Sequence, residues 1–191
     1  DVNGELALEV ERAALSLNQT WFPAVENRGE GVFIGFDSKA VDDWSKRSAV
    51  QARGLQLLEG FKAWLAAHQG AKADFPGLPY VMLHTLSHLL ITAVALDCGY
   101  AASSIRERIY VRKGGYGILL YTASPDAEGT MGGLVESADR IDRYLRQAVD
   151  LGRLCSNDPV CAQHQADNRQ EDRLLLGAAC HGCVLLAESS C

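Results

Sequence analysis

Two histidines four residues apart, His84 and His88, lie in the uncharged stretch "LPYVMLHTLSHLLI". On a helix this spacing places both rings on one face, where they can hold a metal ion. In zinc-dependent hydrolases with the pattern H-E-x-x-H, a glutamate between the histidines acts as the general base. Thr85 stands in that position here, so a third ligand would have to come from elsewhere. The alternative is that both histidines form hydrogen bonds inside the core or across to another domain.

The cysteines form a second candidate metal site. Five of the six fall in the last 37 residues: Cys155, Cys161, Cys180, Cys183 and Cys191. Two thiolate pairs from separate loops can complete a tetrahedral zinc site, and the metal would fix loops that are poor in apolar residues. Disulfides, free thiols and a redox C-x-x-C motif are the alternatives, although "GAACHGCVLL" lacks the strand-to-helix setting of such a motif.

Five cysteines compete for four positions around a zinc ion. Cys191 is the alternative to Cys155 or Cys161, and His164 or His181 is a further substitute. The remaining cysteine, Cys98, stands alone at the end of a predicted helix, and we expect it to be a small core residue.

A cluster of basic residues in "IRERIYVRK" is the candidate nucleic-acid contact. Its members are Arg106, Arg108, Arg112 and Lys113, opposed only by Glu107. The net charge of -6 argues against a chain-wide cationic surface, so any binding of nucleic acid must use a local patch of this kind. The pattern G-x-x-x-x-G-K-[ST] does not occur in the sequence, and we therefore do not expect this chain to hydrolyse ATP by itself.

Hydrophobic periodicity predicts an α+β fold. "ELALEV" and "GVFIGF" alternate as short strands, and "RERIYVRKGGYGILLYTA" is typical of a β-hairpin with its turn at Gly114-Gly115. Helices are predicted over 45–68, 78–97 and 134–154, with Gly99 ending the second. The result is a mainly helical domain with a small antiparallel β-sheet or hairpin and a C-terminal cysteine-rich zinc-binding segment.

We expect a single domain over 1–191, with strands and an amphipathic helix in 1–74, the buried helix, hairpin and last helix in 75–154, and the zinc-binding segment in 155–191. The uncharged run 75–96 is long enough to suggest a membrane span. Prolines, histidines and hydroxyl residues interrupt it, so a buried helix is the preferred interpretation. The sequence begins at Asp1 without a secretory signal pattern, as expected of a fragment of a longer protein.

Several ordered motifs resemble a known family. They are "LHTLSHLLI", "ASSIRERIYV", "GILLYTASPDAEGTMGGL" and the cysteine pattern that ends in "ESSC". From about Trp21 to Cys191 the chain is similar to the zinc-binding domain at the C-terminus of MrfA-type DNA helicases. Within that group the His-x3-His helix, "RERIY" and "GTMGGL" most resemble the DrmB-type subunits of the bacterial DISARM phage-defence system.

The resemblance implies Zn²⁺ as cofactor, with Cys155, Cys161, Cys180 and Cys183 as first-choice ligands and Cys191 as the alternate. It also implies a cytoplasmic protein that works on DNA beside a helicase subunit or domain of the DrmA type, without a membrane. ATP would be handled by another domain or subunit. His84 and His88 would belong to a buried helix typical of the family and would have no catalytic role.

Three functions are therefore open. The first is a non-catalytic zinc-binding accessory domain that supports a partner helicase in phage defence. The second is a metal-dependent nucleic-acid hydrolase that uses His84, His88 and a carboxylate such as Asp97 or Glu107. The third is a purely structural interaction scaffold that holds zinc and makes no contact with DNA.

Overall fold

The fold combines a small antiparallel sheet with helices that pack against it. The computed structural model of the chain describes residues 29–67, 74–122 and 133–153. Within them lie β1 (Gly31–Phe36), α1 (Ser38–Ser45), α2 (Ser48–Ala67), α3 (Leu78–Cys98), β2 (Ile105–Arg112), β3 (Gly115–Thr122), α4 (Gly133–Glu136) and α5 (Ile141–Leu151). Short 3-10 turns lie at Ala102–Ser104 and Ser137–Arg140.

The sheet has β3 at its centre, with β1 and β2 as antiparallel neighbours. Successive residues of a strand point to opposite faces, and the burial follows that alternation. Val32 and Ile34 of β1 and Ile118 and Leu120 of β3 are buried, whereas Phe33 between the first two is 60% exposed. One face of the sheet therefore joins the core and the other faces outward.

Helix α3 is the central element of the core, and it contacts β2, β3 and α5. Its first turn follows Gly77, whose φ of 85° favours glycine, and has a proline at its start. The helix ends at Gly99, which takes the left-handed conformation with φ 72°. Its fully buried side chains, including Leu83, Leu90 and Ile91, pack among those of the sheet and of α5.

The predicted fold class is confirmed: the protein is α+β, mainly helical, with a small antiparallel sheet. The strand "GVFIGF", the hairpin and the helix ending at Gly99 are found where the sequence predicts them. The strand predicted at "ELALEV" and the cysteine-rich segment lie outside the described residues.

The boundaries of several elements differ from the prediction. The helix predicted over 45–68 begins at Ser48 and is preceded by the short helix α1, which Asp37 caps by accepting a hydrogen bond from the Ala40 amide at 2.7 Å. The hairpin turn consists of Lys113 and Gly114, since Gly115 already pairs with Arg112. Gly114 has a φ of 87°, a conformation that glycine adopts without strain.

The helix predicted over 134–154 is interrupted. It consists of α4, a 3-10 turn and α5, which ends at Leu151. The buried Ser137 donates a hydrogen bond at 2.6 Å to the Leu134 carbonyl three residues earlier. Such a local bond gives the backbone an alternative to regular helix and tightens the turn.

By length and composition α3 is able to cross a membrane, and half of its most apolar window is buried inside the protein. The contacts that α3 makes with two strands and with α5 are those of a core helix. They agree with the interpretation of 75–96 as a buried helix.

Truncation of a core leucine in α3 will destabilise the fold far more than truncation of a surface leucine in the same helix. Leu90 is fully buried, whereas Leu96 is 70% exposed. Leu90→Ala should lower the free energy of unfolding by about 2–5 kcal/mol, because it removes transfer energy and leaves a cavity. Leu96→Ala should change it by less than about 0.5 kcal/mol. Urea unfolding of both variants measures the difference, and equal losses would contradict the core position of Leu90.

Candidate functional site

Glu107 is the acidic residue that β2 turns toward the central helix. The strand alternates, so that Ile105 and Glu107 lie on the inner face while Arg106 and Arg108 are exposed on the outer face. Only 10% of the Glu107 side chain is exposed to solvent. A buried carboxylate requires compensating hydrogen bonds or charges, and α3 supplies them.

Three ligand atoms from two elements converge at this point. Nε2 of His84 lies 3.0 Å from Oε1 of Glu107, and Nε2 of His88 lies 3.3 Å from the same oxygen. The two Nε2 atoms are 2.9 Å apart. His88 is the more deeply buried ring, with 5% of its side chain exposed, against 21% for His84.

The Glu107 carboxylate receives a further hydrogen bond. The Ser87 hydroxyl, fully buried on α3, lies within reach of two acceptors, the His84 carbonyl at 2.6 Å and Oε2 of Glu107, the oxygen that does not face the histidines. The carboxylate is the stronger acceptor, so the hydroxyl donates to Oε2. Burial acts to raise the pKa of Glu107, but hydrogen bonds from His84, His88 and Ser87 outweigh it and lower the pKa from 4.5 to about 2. The carboxylate is therefore ionised at neutral pH.

His84, His88 and Glu107 form a group that could hold a metal ion. Of the two carboxylates considered from the sequence, the structure brings Glu107 to the histidines and not Asp97. Asp97 lies near the C-terminal end of α3, about 13 Å along the helix from His88 at 1.5 Å per residue. There it accepts a hydrogen bond from Tyr144 and pairs with Arg140 at 3.1 Å.

The hydrogen bond from Tyr144 is the largest of the effects that lower the pKa of Asp97. On the tyrosine, burial and the bond to Asp97 raise the pKa to about 12. The Arg143 guanidinium also lies 3.4 Å from the Asp97 carboxylate. These contacts join α3 to α5. Asp97 thus has a structural role in the described part of the chain.

The outer face of the sheet carries the predicted basic cluster together with aromatic rings. The Arg108 guanidinium lies 5.7 Å from the centre of the Tyr110 ring, and the Phe33 ring meets Tyr110 edge-on at 5.6 Å. Strand alternation places Arg106 and Arg112 on the same exposed side. We call Phe33, Arg106, Arg108, Tyr110 and Arg112 the basic–aromatic face. Lys113 is exposed in the adjoining hairpin turn.

The remaining predicted site residues are cysteines. Cys155, Cys161, Cys180, Cys183 and Cys191 lie outside the described residues. Cys98 is half-buried at the end of α3, and its thiol donates to the Gly133 carbonyl at 3.3 Å. Burial is the main cause that raises the pKa of this thiol, so Cys98 remains a packed, protonated side chain at neutral pH.

Three residues of these sites are not predicted from the sequence: Ser87, Phe33 and Tyr110. The signal for the two aromatic residues was the alternation itself, because Tyr110 falls between Arg108 and Arg112 on the outward side of β2. No sequence pattern indicated that Ser87 faces Glu107, since these residues are 20 positions apart and meet only through the packing of α3 on β2.

Sequence comparison relates this chain to known proteins. Residues 86–184 match the family described as the MrfA Zn-binding domain. A curated relative, the DISARM protein DrmB of Bacillus paralicheniformis, is 39% identical over 176 residues, which are 91% of this chain and 31% of the relative. The chain thus spans about a third of the length of the curated relative that it matches.

Removal of the Ser87 hydroxyl tests its bond to the buried carboxylate. Ser87→Ala should lower the free energy of unfolding by about 1.5–3 kcal/mol, as expected for a hydrogen bond to a charged group. Ser137→Ala is the matched control, because that hydroxyl is equally buried and donates to a neutral carbonyl, and it should cost about 0.5–1.5 kcal/mol. Chemical denaturation measures both. A smaller loss for Ser87→Ala than for the control would contradict the contact.

Proposed function

The chain belongs to the MrfA Zn-binding domain family, and we propose that it is a non-catalytic accessory domain in phage defence of the DISARM type. The observation that carries the proposal is the 39% identity to the DISARM protein DrmB, which extends over 91% of the chain. A similarity of this extent has to include most of the helices and strands described above. In the proposed role the domain supports the binding and processing of DNA by a partner helicase.

Zinc is the cofactor that membership of this family implies. We assign it to Cys155, Cys161, Cys180 and Cys183, with Cys191 as the alternate. The matched range of 86–184 includes the first four cysteines and ends before Cys191, which supports this choice. Four thiolates around zinc leave no position for a substrate, and such closed sites stabilise folds rather than catalyse reactions.

The basic–aromatic face is the proposed contact with DNA. Guanidinium groups bind phosphates. Exposed aromatic rings stack on unpaired bases of any sequence, because every base has a flat face. Tyr110 contacts both Phe33 and Arg108 on the outer face of the sheet, which places an aromatic pair beside a positive charge as a single-strand platform requires. A helicase generates single strands, so this surface suits a domain that works beside one.

The partner is proposed to be a helicase subunit or domain of the DrmA type in the cytoplasm. This chain has no Walker pattern, so the proposal assigns ATP hydrolysis to the partner. Exposed apolar side chains supply surface for protein contacts, among them Leu96 on α3 and Val149 on α5. Such residues are ordinary individually, and they mark positions where a partner can pack.

The hydrolase alternative gains one observation, the convergence of His84, His88 and Glu107. In that cluster Glu107 is itself positioned as a ligand, whereas a hydrolase of the H-E-x-x-H type needs a separate carboxylate as general base. Thr85, at that position, donates its hydroxyl to the Val81 carbonyl of the same helix at 2.9 Å. The cluster thus lacks the general base that such a hydrolase needs, and we prefer the accessory role to the hydrolase.

Replacement of a zinc-binding cysteine tests the accessory role. In the full-length protein, Cys180→Ser should release the C-terminal zinc and abolish co-purification with the helicase subunit, because the cysteine segment loses its metal crosslink. Cys98→Ser is the control, since Cys98 belongs to the described core, and it should retain zinc and partner. Elemental analysis and affinity capture measure the outcome. A Cys180→Ser protein that keeps both would overturn the proposal.

The salt dependence of binding tests the DNA contact. Arg108→Ala should weaken retention of single-stranded DNA and reduce the slope of log affinity against log salt by about 0.7, the share of one phosphate contact. Arg146→Ala removes an exposed charge from α5, where it pairs with Asp142 at 3.8 Å, and should leave the slope unchanged. Equal effects of the two variants would remove the basic–aromatic face from the proposal. Absence of salt-dependent binding would favour a pure scaffold.

A further inference from the structure

We propose that His84, His88 and Glu107 form a second zinc site, separate from the C-terminal cysteines, which joins the central helix to the sheet. Two ligands come from consecutive turns of α3 and the third from the inner face of β2. The site needs none of the cysteines, and it is distinct from the role that the family implies for zinc.

The three ligand atoms are spaced as a metal requires. Around a tetrahedral zinc ion with bonds of about 2.0–2.1 Å, neighbouring ligand atoms stand about 3.3 Å apart. The observed separations are 2.9 Å between the two Nε2 atoms, and 3.0 and 3.3 Å from these atoms to Oε1 of Glu107. The triangle therefore fits three corners of the tetrahedron after adjustments of a few tenths of an ångström.

Hydrogen bonds alone satisfy the two Nε2 atoms and Oε1 of Glu107 less well than a bound cation would. If each Nε2 carries a proton that it donates to Oε1, the two N–H groups face each other across 2.9 Å. If only one is protonated, its N–H can be donated to the other ring nitrogen at 2.9 Å or to Oε1, but not fully to both. The unprotonated ring nitrogen and Oε1 then still face each other with lone pairs across 3.0 or 3.3 Å. A cation between the three atoms accepts all their lone pairs at once.

The donor set selects the kind of ion. Imidazole nitrogens disfavour calcium and magnesium, which bind oxygen, and suit zinc and its first-row neighbours. Two histidines with one glutamate are a known zinc ligand set that leaves a fourth position for water or another small ligand. Because Glu107 and His88 are almost fully buried, that position lies on the side of the more exposed His84.

The surroundings support the carboxylate as a ligand. The Ser87 hydroxyl donates to Oε2 and thereby directs Oε1 toward the histidines. Hydrogen bonds of this kind orient carboxylate ligands in metal sites, and their loss typically costs about 10–100-fold in metal affinity. The Tyr80 ring lies 5.6 Å from the His84 ring and covers the histidine from the preceding turn.

The experiment compares metal content in the full-length protein and its variants, purified without added metal and then loaded with zinc or cobalt. Glu107→Gln keeps the shape of the side chain, removes its charge and leaves one oxygen that can accept a hydrogen bond. We expect it to bind about one metal ion per chain fewer than the unmutated protein, and the thiolate-to-cobalt charge-transfer band should be unchanged. Ser87→Ala should weaken the same site by about 10–100-fold in competition with a chelator.

Asp97→Asn is the matched control, because it removes a carboxylate charge from α3 at the end remote from the histidines. It should keep the full metal content. A folded Glu107→Gln protein that also keeps the full content would overturn the site. Should that variant fail to fold, X-ray absorption on the unmutated zinc protein decides. Scattering from imidazole and carboxylate ligands supports the site, and a shell of sulfur alone overturns it.

Discussion

The ionised side chain of Glu107 is enclosed between the sheet and the central helix, and this places a strong constraint on how the two elements can meet. A buried charge without partners is one of the most costly features that a fold can contain. Here His84, His88 and Ser87, all on one face of α3, direct their polar atoms at the carboxylate. Sliding of the helix by one turn or of the strand by one residue would leave the charge unpaired. The contact thus fixes the position of α3 on β2.

The same register decides which residues of β2 face outward. Side chains alternate along a strand, so a slip by one position would exchange its faces. With Glu107 inside, Arg106 and Arg108 must lie on the exposed side, where Tyr110 and Phe33 join them. The histidine–glutamate cluster and the basic–aromatic face are therefore the two sides of one strand. A metal ion that secures the inner side would also hold the outer side in place.

Different contacts hold the C-terminal end of α3 in place. Asp97 takes a hydrogen bond from Tyr144 and pairs with arginines of α5, and the Cys98 thiol reaches the carbonyl of Gly133 at the start of α4. These contacts hold the C-terminal end of α3 against α4 and α5, and the cysteine segment follows α5 in the sequence. A zinc ion bound by that segment would act through residues other than the histidines.

The sequence by itself determined most of the described elements and the family. The alternation of "GVFIGF" and of the hairpin, and the glycine that ends α3, predict local structure correctly because strand pleating and left-handed glycine caps depend on neighbouring residues. It also identified His84, His88 and Glu107 as candidate metal ligands, but Asp97 was an equally good candidate for the carboxylate. Only the tertiary structure showed which of the two carboxylates meets the histidines. Glu107 reaches them because β2 packs on α3, a contact between residues that are 20 positions apart in the case of Ser87 and Glu107. The interruption before α5 and the meeting of Phe33 with Tyr110 were likewise decided by tertiary contacts, because they join residues whose proximity no local pattern encodes.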